Sequence, residues 1–137
     1  MRAAIYRGKG NLEVEEIAVP QIGPSEVRIA VEYCGVCGTD LHDVLDEWGA
    51  SGSIGGHEWS GRVVEVGSDV LLEIDTLVVG HPGHACGRCK ACLASRTNLC
   101  EERPTAGLEQ PHGAFADYVV IGSDRAVRVP PGVGARA

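Results

Sequence analysis

The sequence predicts a mainly β domain, built as a closed or nearly closed barrel. Short runs of alternating or β-branched residues recur along the chain, and glycine or proline separates most of them from the next. Many short strands joined by loops favour a barrel over a layered α/β domain. The predicted strands are Arg2–Tyr6, Leu12–Ala18, Glu26–Tyr33, Gly61–Val66, Thr76–Val79, Phe115–Ile121 and Ala126–Val129.

One short helix is predicted after Gly38. Thr39 or Asp40 can cap its first turn, because both side chains accept backbone N–H groups. Apolar residues then recur at helical spacing and predict a stripe that packs on the barrel. The stripe consists of Leu41, Val44, Leu45 and Trp48.

The composition restricts the partners that we expect. The 137 residues carry 12 Lys+Arg against 19 Asp+Glu, a net charge of −7 without a basic run, so nucleic acid is not expected as a partner. No segment has the apolar length of a signal peptide or a membrane span. Six cysteines, four of them at metal-binding spacing, then indicate a reducing cytoplasm.

Four cysteines follow the pattern C-x2-C-x2-C-x7-C, at Cys86, Cys89, Cys92 and Cys100. A tetrahedral zinc ion takes four thiolates at about 2.3 Å, and a short loop can turn its sulfurs inward to supply them. Disulfides are the alternative, but a bridge between cysteines three positions apart is sterically awkward. The spacing therefore predicts a structural zinc lobe, which we place at 84–102.

A second group combines Cys37 with His57 and Glu58. A thiolate and an imidazole are two of the three protein ligands of an open, catalytic zinc site, and Glu58 can act on the metal electrostatically or bind it directly. Each residue also has an ordinary interpretation. A single cysteine is more often a buried thiol, and a single histidine more often a surface or hydrogen-bonded side chain.

Three further polar residues accompany this group. Thr39 offers a hydroxyl that can pass on a proton, and His42 can carry that proton towards solvent. Asp40 can accept the second ring N–H of a metal-binding histidine. Helix capping remains an equal and compatible role for Thr39 and Asp40.

Three motifs occur in order: Gly-Val-Cys-Gly-Thr-Asp-Leu-His at 35–42, Gly-Gly-His-Glu-Trp-Ser-Gly at 55–61, and the four-cysteine loop. Together they resemble the zinc-dependent alcohol dehydrogenases of the medium-chain dehydrogenase/reductase superfamily, and among these the polyol, butanediol and threonine branches. The resemblance covers essentially all of 1–137 and implies a GroES-like, partly closed β-barrel of the catalytic domain. It implies reversible hydride transfer between a small alcohol or polyol and NAD or NADP, in a dimer or tetramer.

The resemblance also implies how two zinc ions are held. Cys37 and His57 become ligands of the catalytic zinc, with Glu58 as a carboxylate that can exchange onto the metal. Asp40 lies behind these ligands. The four later cysteines hold the structural zinc.

A proton relay and a substrate cleft are implied as well. Thr39 and His42 correspond to the relay. Trp48 falls where relatives line the cleft, although core packing within the apolar stripe is an equal alternative. His81 and His84 border the same cleft or lie in a solvent-exposed loop, and we interpret His112 as a loop residue and Cys34 as a buried thiol ending a strand.

Two expected parts are not found in the sequence. No Gly-x-Gly-x-x-Gly follows a strand, so the Rossmann half is not in this chain. The third catalytic ligand would come beyond residue 137. We expect an excised portion of a longer enzyme, or a truncated reading frame, that does not turn over alone. The alternative is a zinc-stabilised β-barrel that acts as a binding or assembly module without catalysis.

Overall fold

The computed structural model describes residues 1–81, 85–102 and 113–136. Each of the seven predicted strands overlaps an observed strand, which confirms the mainly β prediction. The elements are β1 (Arg2–Gly8), β2 (Asn11–Glu16), β3 (Glu26–Gly35), α1 (Gly38–Leu45), β4 (Glu58–Val66), β5 (Leu77–Gly80), α2 (Lys90–Leu93), β6 (Tyr118–Gly122) and β7 (Ala126–Arg128).

The strands form a five-stranded sheet in the order β6-β3-β4-β5-β7 and a separate β1-β2 hairpin. All neighbouring strands are antiparallel. Two isolated bridges, Ala3 with Ala116 and Ile5 with Ile54, attach the hairpin to segments that flank the sheet. The result is a partly closed barrel, as the sequence predicts.

The core lies on the inner face of the central strands. Val27 and Ile29 of β3, Val63 of β4 and Val78 of β5 are completely buried. Their alternation along the strands follows from the two-residue period of a β-strand. Burying each of these side chains contributes about 1.5–3 kcal/mol, so the sheet holds a core of its own.

The start of α1 differs from the prediction. Its N-cap is Cys37, which has extended backbone angles, and not Thr39 or Asp40. Asp40 occupies the third helical position, from which its carboxylate accepts the backbone N–H of Cys37 at 2.8 Å. The helix therefore begins one turn earlier than a cap at Asp40 would allow, because the acidic side chain reaches back to satisfy a free N–H.

The prediction that the apolar stripe of α1 packs on the barrel is wrong for three of its four residues, and only Val44 is partly buried. Leu41 and Leu45 are more than half exposed, and Trp48 is 61% exposed and lies beyond the end of the helix. The buried residue of α1 is the polar Asp40, at 5% exposure. Core packing therefore does not explain Trp48.

The loop before β5 turns without glycine. Asp75 adopts a left-handed conformation with φ of 67°, and the N–H of Thr76 donates to the carbonyl of Glu73 at 3.3 Å. Aspartate tolerates this conformation better than most residues. Separately, none of the helices in the described parts of the chain has both the length and the apolar character needed to cross a membrane.

Candidate metal centres

The structure brings Cys37, His57 and Glu58 together. One potential ligand atom from each lies within 4.8 Å of the other two. The pairing of β3 with β4 explains this, because Gly35 at the end of β3 lies opposite Glu58 at the start of β4. Cys37 follows Gly35 by two residues and His57 directly precedes Glu58, so one strand pair positions all three side chains.

Gly56 allows the chain to enter β4 at this point. Its φ is +90°, and a Cβ there would lie 2.8 Å from Cys34 Sγ and 2.8 Å from the backbone nitrogen of Phe115. Only glycine fits both the backbone angle and the space. The N–H of Ala114 donates to the Gly56 carbonyl at 2.8 Å and closes this segment against the next.

Cys34 is half-buried beside this centre and does not belong to the three-residue cluster. Burial, and then the nearby carboxylates of Asp40 and Glu58, raise the pKa of the Cys34 thiol to about 11. The side chain is therefore a neutral thiol at neutral pH. This agrees with the predicted thiol at the end of a strand, although its burial is only partial.

The buried carboxylate of Asp40 connects the two halves of the centre. One oxygen accepts the backbone N–H of Cys37 at 2.8 Å, and the other accepts that of Gly56 at 3.1 Å. The same second oxygen lies 3.5 Å from Nδ1 of His57. Asp40 thus fixes the backbone on both sides of the cluster and faces the imidazole, the position that the sequence predicts for it.

The predicted relay residues lie on the outer side of α1. The Thr39 hydroxyl is 3.7 Å from Cys37 Sγ, within hydrogen-bonding range of a sulfur. His42 is half-exposed, and its Nδ1 lies 2.6 Å from a carboxylate oxygen of Asp46. The ring of Trp48 stacks on the His42 ring with centroids 4.6 Å apart. The contact with Asp46 was not predicted from the sequence, although Asp46 follows His42 by four residues, a spacing at which side chains on a helix can interact.

A cavity of about 100 Å³ adjoins the Cys37–His57–Glu58 centre. Its lining includes Asp40, His57, Tyr6, Ser53 and Trp59. The sequence predicted no role for Tyr6, Ser53 or Trp59, because they come from three separate parts of the chain and meet only in the fold.

The histidines and the tryptophan expected at a cleft have different outcomes. His81 is exposed and also lines this cavity. His84 and His112 lie outside the described residues. Trp48 lies beyond the end of α1 and is not part of the cavity lining.

The four later cysteines form a separate cluster, again with their sulfurs within 4.8 Å of one another. Sγ of Cys86 lies 3.9 Å from that of Cys92, and Sγ of Cys89 lies 4.0 Å from that of Cys100. A tetrahedron with zinc–sulfur bonds of about 2.3 Å has sulfur–sulfur edges of about 3.8 Å, whereas a disulfide measures about 2.05 Å. The sulfurs therefore stand at the spacing of a zinc shell.

Ionisation of this cluster favours a bound cation. Hydrogen bonds, first from the Cys92 N–H at 3.5 Å, lower the pKa of the Cys89 thiol to about 6. Burial, and then the neighbouring Cys89 sulfur, raise the pKa of Cys92 to about 12. Four thiolates cannot share this space without a compensating positive charge, which a zinc ion would supply. Arg88, paired with Glu102 at 3.1 Å, adds one cation nearby.

Comparison with known proteins places the chain in a family. The alcohol dehydrogenase GroES-like domain matches residues 23–131. The L-threonine 3-dehydrogenase of Cutibacterium acnes is 40% identical over 122 residues, which cover 84% of this chain and 35% of that protein. The chain spans about two fifths or less of the length of the curated relatives that it matches.

Solved structures agree with this placement. Galactitol-1-phosphate dehydrogenase from Escherichia coli superposes with a TM-score of 0.92 at 28% identity, over 98% of this chain and 40% of that one. A protein of Sinorhizobium meliloti 1021, assigned as a zinc-binding dehydrogenase and solved with NADP bound, gives 0.86 at 34% identity, over the same two shares. The barrel, the ordered motifs and these matches lead to one conclusion: the chain belongs to the GroES-like domain family of the zinc-dependent alcohol dehydrogenases, in the medium-chain dehydrogenase/reductase superfamily.

Proposed function

We propose that this chain is the zinc-carrying part of the catalytic domain of an NAD(P)-linked alcohol or polyol dehydrogenase. The observation that supports this most directly is the convergence of Cys37, His57 and Glu58 within 4.8 Å at one end of the β3–β4 pair. A barrel that served only for assembly would not need a second, open group of metal-binding side chains. The domain comprises 1–137, with the structural zinc lobe at 84–102.

In this proposal Cys37 and His57 hold the catalytic zinc, and Glu58 is a carboxylate that exchanges onto it. The donor set fits zinc, which takes sulfur, imidazole nitrogen and carboxylate oxygen. Nδ1 of His57 faces Asp40, so Nε2 is the ring nitrogen that serves the metal. Zinc at this position supplies a Lewis acid for the oxygen of an alcohol or carbonyl substrate.

The chain's own residues then orient the substrate and move a proton. Asp40 holds the backbone at Cys37 and Gly56, which keeps the metal-binding side chains at a fixed separation. The Thr39 hydroxyl, next to the Cys37 sulfur, accepts the alcohol proton as it gives up its own, and His42 takes the released proton and passes it towards solvent. Tyr6 and Trp59 line the cavity beside His57 and limit the space that a substrate can occupy there.

Cys86, Cys89, Cys92 and Cys100 hold the structural zinc. Four thiolates close the coordination shell, so no position remains for substrate, and the ion stabilises its lobe instead of taking part in chemistry. A nicotinamide cofactor binds in a half that this sequence does not include, because it has no glycine-rich dinucleotide motif. We therefore expect the isolated chain to be inactive.

The relatives support a proposal for the substrate class. They include proteins named L-threonine 3-dehydrogenase and galactitol-1-phosphate dehydrogenase, and one relative was solved with NADP. We propose a small polar alcohol as substrate, NAD or NADP as cofactor, and a homodimer or homotetramer as the assembled enzyme.

Zinc per chain is the decisive measurement for the metal roles. We expect two ions per chain by elemental mass spectrometry on protein purified under reducing conditions. Cys37→Ser combined with His57→Ala should leave one ion, and Cys89→Ser should remove the other. A single ion that the Cys37/His57 double variant leaves unchanged would show that these residues hold no metal in this chain without a further ligand.

Activity is tested separately, in protein that joins this chain to a nucleotide-binding half. We expect zinc-dependent oxidation of at least one member of a panel of polyols and amino alcohols, lost in the Cys37/His57 double variant. Two zinc ions without any oxidation of the panel would favour the assembly module over the dehydrogenase.

A further inference from the structure

The His42 side chain is held from two directions, although about half of its surface is exposed. Its Nδ1 lies 2.6 Å from the Asp46 carboxylate, four residues further along the chain. The Trp48 ring stacks on one face, with centroids 4.6 Å apart and an angle of 19° between the planes. Exposed histidines usually sample several rotamers, and this one makes contacts that restrict it.

The backbone after α1 is arranged so that both contacts form. The helix ends at Leu45, and the N–H of Asp46 donates to the His42 carbonyl at 3.0 Å. Glu47 then adopts a left-handed conformation with φ of 61°, which is uncommon for a residue other than glycine, asparagine or aspartate. This reversal returns Trp48 to His42, whose carbonyl lies 3.5 Å from the Trp48 N–H.

The Trp48 ring is otherwise difficult to explain. It is 61% exposed, so it adds little to the core, and it does not line the cavity. Backbone strain that places a large aromatic ring on a single partner points to a role for that partner. Asp46 also ends the helix, but it does so through its backbone N–H. This role does not require the Asp46 carboxylate to contact an imidazole nitrogen.

We propose that Asp46 and Trp48 are positioning residues that fix the His42 imidazole in the Nδ1–H tautomer and in one rotamer. A carboxylate accepts but does not donate, so the hydrogen bond requires the proton on Nδ1. Nε2 of neutral His42 then carries a free lone pair and is the atom that accepts a proton. Trp48 covers one ring face and prevents the imidazole from turning over.

This inference deepens the proposed function and rests on it in one respect, because the proton-relay role of His42 is part of that proposed function. The structural claim is tested without metal, cofactor or turnover. Long-range ¹H–¹⁵N correlation spectra of the ¹⁵N-labelled chain distinguish a protonated from an unprotonated ring nitrogen. They are recorded at about pH 9, well above the ordinary histidine pKa of about 6.5, and His42→Gln identifies the signals.

We expect His42 to be mainly Nδ1–H in the unaltered chain. Asp46→Ala should lower the ratio of Nδ1–H to Nε2–H about five-fold or more, as loss of a hydrogen bond of ordinary net strength predicts. Asp46→Asn keeps an oxygen acceptor and should retain the Nδ1–H form. Asp69→Ala, which removes the same charge elsewhere, is the matched control and should leave the ratio unchanged.

Trp48 is tested through the ring protons of His42, which stacking shifts upfield. Trp48→Ala should abolish this shift and Trp48→Phe should retain most of it. A proton found on Nε2 in the unaltered chain, a tautomer ratio that Asp46→Ala does not change, or ring shifts that Trp48→Ala leaves in place would each overturn the proposal. If Asp46→Ala fails to fold, the tautomer of the unaltered chain decides.

Discussion

The carboxylate of Asp40 accepts the backbone N–H of Gly56 at 3.1 Å, across a separation of 16 residues. This bond fixes the first turn of α1 to the segment that enters β4. Because Cys37 caps that turn and His57 follows Gly56, the separation of the two proposed zinc ligands depends on this buried side chain as well as on the pairing of β3 with β4. Asp40 is therefore the side chain that joins the two halves of the centre.

Replacing Asp40 with Asn should weaken the proposed catalytic site without removing a ligand. The amide keeps one acceptor oxygen but directs an NH2 group at a second N–H, so one buried donor loses its partner. We expect zinc affinity at Cys37 and His57 to fall about 10–100-fold, the range found when a partner of a metal ligand is changed. Titration with a competing chelator measures this.

Asp69→Asn makes the same chemical change in an exposed turn and serves as the control. The four-cysteine cluster provides an internal reference, since its zinc affinity should not respond to Asp40. Equal loss at both sites would mean that Asp40→Asn acts through general unfolding instead of through the centre.

Alanine at Gly56 should be much more destabilising than alanine at Gly52. Both glycines have φ close to +90°, so both variants carry the same backbone strain of roughly 1–3 kcal/mol. A Cβ at Gly52 meets nothing within 4 Å, whereas one at Gly56 would lie 2.8 Å from Cys34 Sγ. We expect an additional loss of about 1–3 kcal/mol at Gly56 from this overpacking.

Chemical denaturation of the two variants measures the difference. The shared backbone strain cancels in the difference between the two unfolding free energies, so this difference reports only the close contact of the added Cβ at Gly56. Equal losses of unfolding free energy would contradict the packing that the structure shows around Cys34 and Phe115.

Removing metal should release the cysteine lobe and leave the barrel folded. The cysteine lobe contains only short helices and is held together by contacts between its sulfurs. The barrel, in contrast, has its own core of Val27, Ile29, Val63 and Val78, which is buried without any ion. After chelation, we expect amide hydrogens within 86–100 to exchange rapidly and those of β3 and β4 to stay protected. Cys89→Ser should reproduce this pattern without a chelator. Simultaneous loss of protection in both regions would show that the metal also supports the barrel.

Acid should weaken the attachment of β1 through Asp117. Hydrogen bonds from the backbone N–H and guanidinium of Arg2, at 2.7 and 3.1 Å, lower the pKa of the Asp117 carboxyl. A lowered pKa means that the stabilisation is complete above the ordinary aspartate pKa of about 3.9 and is lost as the pH falls below it.

Urea unfolding at pH 6 and pH 3 tests this contribution. Asp117→Asn should be less stable than the unaltered chain at pH 6, and the difference should shrink at pH 3. Glu73→Gln, on an exposed loop, controls for removal of a carboxylate. A difference between Asp117→Asn and the unaltered chain that is the same at both pH values would exclude the pairing with Arg2 as its cause.

Local sequence was sufficient for the features that depend on neighbouring residues. The two-residue gaps between Cys86, Cys89 and Cys92 favour a turn that gathers their sulfurs, and the seven-residue gap allows Cys100 to return to them. The strands were predictable for a similar reason, since alternation and glycine or proline at their ends act over a few residues. The motifs around Cys37 and His57 indicated the family but not the distance between the two side chains.

The fold decided what depends on distant contacts. Helical spacing predicted that Leu41, Leu45 and Trp48 would be buried, but the fold buries Asp40 instead, because its carboxylate accepts the backbone N–H groups of Cys37 and Gly56. The stacking of Trp48 on His42 follows from the left-handed backbone at Glu47, which no pattern in the sequence signals. Sequence therefore determined which residues could bind metal. Tertiary hydrogen bonding decided which face of the helix is buried beside those residues.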